Sequence, residues 1–67
     1  AMNNRDLHSL EGCLKAEKLA IEKCKLFSSL TKDPEVSAIC LNIANKHQQH
    51  YNTLVKHLQS STQGTVN

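Results

Sequence analysis

Aromatic side chains are nearly missing from this chain: one Phe, one Tyr and no Trp in 67 residues. That scarcity removes the stacking platforms on which single-stranded nucleic acids are held. It also leaves the core to Leu, Ile, Val, Ala and Cys, which is thin material for so short a chain. One proline and two glycines provide little punctuation, and neither a strand-like alternation nor an internal repeat is present. No apolar run approaches the roughly 18 residues needed to cross a bilayer, and no signal peptide is visible.

Charge of one sign is also never concentrated. Eight Lys and Arg stand against six Asp and Glu, a net charge of +2, and no run of five like charges occurs. Lys15, Lys18, Lys23 and Lys25 are interleaved with Glu11, Glu17 and Glu22. They read as a solvated face, not as a track for phosphates. Neither nucleic acid nor membrane is therefore expected as a partner.

The cysteines, Cys13, Cys24 and Cys40, are odd in number and include no C-x-x-C pair. This excludes a disulfide framework and a zinc ribbon. They read as reduced thiols used as small apolar residues, which fits a reducing compartment. None opens a helix or has a partner cysteine close in sequence. No catalytic set is marked, and a redox or enzyme role through Cys13, Cys24 or Cys40 is the weakest reading.

What is present is helix. The stretch TKDPE at residues 31–35 is the one strong breaker. Asp33 is a helix cap, Pro34 suits a first helical position, and Glu35 complements the positive end of a helix. Helices are expected over about residues 6–30 and 34–59, within one domain. Ala1, ahead of Met2, reads as a cloning remnant, residues 1–5 as a disordered start and 60–67 as a disordered tail. Two helices of about 25 residues, each roughly 37 Å long, joined by three residues must run antiparallel.

Projected at 100° per residue, Leu10, Cys13, Leu14, Ala20, Ile21, Cys24 and Phe27 share one stripe of the first helix, with Glu17 at its centre. On the second, Val36, Ile39, Cys40, Ile43, Leu54 and Leu58 share a stripe that includes His47 and His50, with His57 at its edge. His8 projects outward. Leu41, Ala44, Tyr51 and Val55 form a second apolar flank. These stripes are too wide for a single partner helix. The economical solution is an all-α hairpin that dimerises into a four-helix bundle. Leu10, Leu14, Ile21, Cys24, Phe27, Val36, Cys40, Ile43, Tyr51, Leu54 and Leu58 would build its core and dimer contact.

Counted from Lys32, Glu17 lies 15 residues before and His47 lies 15 after, so an antiparallel pair sets them level. His50 follows one turn further on. A carboxylate on a buried face must be paired, protonated or ligating. Glu17 therefore either bonds a histidine and fixes register, or joins His47 and His50 in binding a divalent metal such as Fe, Zn or Mn, or reaches solvent.

Residues 14–58, LKAEKLAIEKCKLFSSLTKDPEVSAICLNIANKHQQHYNTLVKHL, resemble a ferritin-like half-bundle, more narrowly the spore coat protein F type. The likeness rests on the Glu17-Lys18 pair, the DPE turn and the histidine-bearing second helix. It implies a homodimeric bundle, a cytoplasmic or spore-associated location, and other coat-type proteins as further partners. Ferritin-like sites take a Glu from one helix and Glu-x-x-His from the next. Glu17 and His50 match that pattern, but His47 stands where the second Glu belongs. The resemblance thus implies a structural or interaction protein first, and a metal-binding module as the alternative.

Overall fold

The computed structural model describes residues 2–66, with side chains through Ser60. It is a two-helix hairpin: α1 spans Asn4–Leu30 and α2 spans Pro34–Val66. No strand occurs among the described residues. The all-α hairpin expected from the breaker is what forms, with helix boundaries at Leu30 and Pro34.

Two expected boundaries are corrected. α1 begins at Asn4, not near residue 6, because Asn3 and Asp6 make a reciprocal capping box. The Asp6 N–H donates to Asn3 Oδ1 (2.8 Å) and the Asn3 N–H donates to Asp6 Oδ2 (3.5 Å). Hence residues 4 and 5 are helical. α2 continues past residue 59 to Val66. Its last stretch contains no proline, and extending a formed helix needs only one residue at a time. Ala1 and Asn67 lie outside the described residues.

The link is tightly tied. Asp33 Oδ1 accepts from the Glu35 and Val36 N–H groups at 2.9 and 3.3 Å, capping α2. Thr31 Oγ1 accepts from the Asp33 N–H at 3.2 Å. One turn inward, Ser28 and Ser37 clasp the helices together. Their hydroxyls lie 2.7 Å apart, and each also reaches the other residue's carbonyl, at 3.2 and 3.1 Å. Ser28 is buried, and its hydroxyl is satisfied there, as burial requires.

Beyond this clasp the interior is slight. Only Ile21 (7% exposed) and Ala44 (2%) are buried apolar residues among those described. Leu10, Leu14, Cys24, Val36, Cys40, Tyr51, Leu54 and Leu58 are half-buried, whereas Phe27 (56%) and Ile43 (39%) are exposed in the single hairpin. The molecule measures 51 × 16 × 11 Å, a slab one helix thick, with no third element among the described residues. Its radius of gyration is 15.3 Å, against about 11 Å for a compact chain of this length.

Gly12 lies within α1, without a positive φ and with open space where a Cβ would stand. Gly12→Ala should therefore stabilise the hairpin by about 0.5–1 kcal/mol in urea denaturation.

Candidate metal centre

Near the middle of the slab, α1 presents Glu17 and α2 presents His47 and His50. The short link sets Glu17 and His47 level, and the i, i+3 spacing puts His50 one turn along the same side of α2. His47 Nδ1 lies 2.6 Å from Glu17 Oε2 and His50 Nδ1 lies 3.7 Å from Glu17 Oε1. A carboxylate only accepts, so in this contact His47 Nδ1 carries a proton and donates it. The two imidazoles meet edge to face, with centroids 5.7 Å apart and planes at 87°.

One donor atom from each of Glu17, His47 and His50 falls within 4.8 Å of the other two. This group can hold a metal ion. A tetrahedral ion bound at 2.0–2.1 Å separates its ligands by about 3.3 Å. The His50–Glu17 distance is close to that value. The His47–Glu17 contact must open by several tenths of an ångström, with the His47 proton passing from Nδ1 to Nε2 so that the freed lone pair can bind.

Burial falls off across the group. The side chain of Glu17 is 22% exposed, that of His47 32% and that of His50 62%. The expectation that both histidines sit inside a buried face is corrected: His47 is half-buried and His50 is exposed. The apolar arc of α2 is wider than α1 can cover, so the His50 edge is left facing outward. His57, further along that edge, is exposed as well, and so is His8.

His50 opens onto a groove of about 410 Å³ lined by Cys13, Glu17, His50, Thr53 and Leu54. Cys13 was expected as a buried apolar residue, and this too is corrected. It is an exposed free thiol, while Cys24 and Cys40 are half-buried and also free. Cys13 is four residues before Glu17, one helical turn, and that spacing was the signal for its position beside the site.

The Glu17–His47 hydrogen bond links the two helices at this level, and it is only partly shielded from water. A double-mutant cycle with Glu17→Ala and His47→Ala, followed by urea denaturation without metal, should give a coupling of about 0.5–1.5 kcal/mol.

No family model, curated protein or solved structure matches this chain. The side chains that converge between the two helices are accordingly the ground on which its function is read.

Proposed function

We propose that this chain is a metal-binding helical hairpin in which Glu17, His47 and His50 hold a divalent transition-metal ion. The observation that carries this reading is the convergence of three donors within 4.8 Å, with Glu17 lying 30 and 33 residues before the two histidines. Two imidazoles and a carboxylate suit zinc, iron or manganese, and are poor ligands for magnesium or calcium, which take oxygen. An ion bridging α1 and α2 would tie together helices that share little apolar contact. Short chains with small cores commonly rely on such a staple, because metal binding free energy adds to folding free energy. A di-iron site of the ferritin-like kind is not supported by the donor set, since His47 replaces the second bridging carboxylate.

The test is native mass spectrometry of tag-free protein with zinc, iron(II) and manganese(II). One ion per chain is expected. Glu17→Ala and His50→Ala should each weaken uptake by about tenfold or more, with helical circular dichroism retained. A wild-type chain that takes up none of the three ions would overturn the reading.

A second reading is favoured by a separate observation, the bare apolar surface. Leu19, Leu26, Leu30 and Leu41 are exposed, as are Phe27, Ile39 and Ile43. At 100° per residue Ile39 and Ile43 share the His50 side of α2, and Phe27 is turned from Glu17 in the same sense as Cys13. The accessible surface is 5358 Å² at 7.5 kDa, roughly 1,100 Å² above that of a compact monomer of this mass. A standard interface removes about 800 Å² from each partner. On this reading a second copy of the chain covers the face, giving a four-helix bundle, and the protein is a structural or interaction module. Its spore-coat character, coat-type partners and cellular location rest on the resemblance of residues 14–58. The metal site and the dimer are compatible.

Sedimentation of wild-type protein should give a dimer. Ile43→Glu should raise its dissociation constant by about tenfold or more, because a charge replaces buried apolar area. A wild-type monomer at high micromolar concentration would remove the dimer from the account.

A further inference from the structure

We infer that Cys13 is the fourth ligand of this centre, which makes it a closed Cys-Glu-His-His site for zinc. The inference rests on the proposed metal site and specifies its chemistry.

Three donors leave a tetrahedral ion one ligand short. Two of the three donors, Glu17 and His50, line the groove, and Cys13 lines it with them. The helix register places Cys13 correctly. With Glu17 level with His47, residue 13 of α1 is level with residue 51 of α2, beside His50. Cys13 and Glu17 are one turn apart on α1 and His47 and His50 one turn apart on α2, so each helix supplies a neighbouring pair. The pattern in sequence is C-x-x-x-E followed by H-x-x-H.

The thiol is free and exposed, so no packing must be broken to use it. The three donors already within 4.8 Å do not include its sulfur. Capture requires the sulfur to move toward them, and a change of χ1 rotamer moves a cysteine sulfur by about 3 Å. On binding, the Cys13 proton leaves to solvent and the thiolate joins the Glu17 carboxylate. Two negative ligands and two neutral imidazoles then balance a divalent ion. A thiolate in the set favours zinc over manganese. Four protein ligands leave no open position for substrate, which is the signature of a structural zinc site.

Cobalt(II), a spectroscopic stand-in for zinc, tests this on the full chain. Wild-type protein should show a near-ultraviolet sulfur-to-cobalt charge-transfer band together with the intense visible bands of a tetrahedral ion. Cys13→Ser should lose the charge-transfer band and bind zinc at least about tenfold more weakly. Cys24→Ser and Cys40→Ser should keep the band. Zinc should also shield Cys13 from alkylation in the wild-type chain, a readout that needs no variant to fold. Cobalt bound without a sulfur band, or a band that survives Cys13→Ser, would overturn the fourth ligand and leave Glu17, His47 and His50 standing. Failure of both cobalt and zinc to bind would overturn the closed zinc site, and failure of iron(II) and manganese(II) as well would overturn the centre itself.

Discussion

Three residues separate Leu30 from Pro34, and the register of the hairpin follows from how tightly they are held. Asp33 caps α2, Thr31 braces Asp33, and the Ser28–Ser37 clasp locks the first turn of contact. Once α1 and α2 are aligned there, each later level is set by the 1.5 Å rise per residue. Glu17 meets His47 because both are the same distance from the turn. A longer or looser link would let the helices slide, and the donors would no longer coincide.

The same architecture leaves the hairpin poorly insulated. The two buried apolar residues among those described, Ile21 and Ala44, cannot supply the burial that stabilises an ordinary small domain. Ala44 contributes only a methyl group, which lets the helices approach closely but adds little transfer free energy. A chain built this way calls for an added constraint. The Glu17, His47 and His50 side chains are positioned to supply one by holding an ion across the two helices. A second copy over Phe27, Ile39 and Ile43 would supply another. The two constraints lie on adjoining parts of one face, so an ion that fixes the register would also shape the surface a partner meets.

The carboxylate and histidines illustrate how modest the electrostatics of such a slab are. With Glu17 about one-fifth exposed and His50 more than half exposed, water competes with every contact, and the hydrogen bond alone is a weak fastener. The arrangement has more value as a preformed set of donors than as an isolated pair.

Much of this was legible from residue order. The DP step set the turn, the apolar spacing set two helices, and equal distances from Lys32 put Glu17 opposite His47. These are local or one-dimensional properties, fixed by capping chemistry and helical rise. The Asn3–Asp6 box is equally local, and it carries the start of the first helix back to Asn4. Which edge of each broad apolar arc remains bare was a different matter. A helix wheel gives the width of the stripe but not its angle to the neighbour, and that angle depends on where side chains as small as Ala44 let the helices touch. Only the tertiary structure could therefore bury Ile21 while exposing Phe27, turn His50 outward, and open the groove that Cys13, Glu17 and His50 line together.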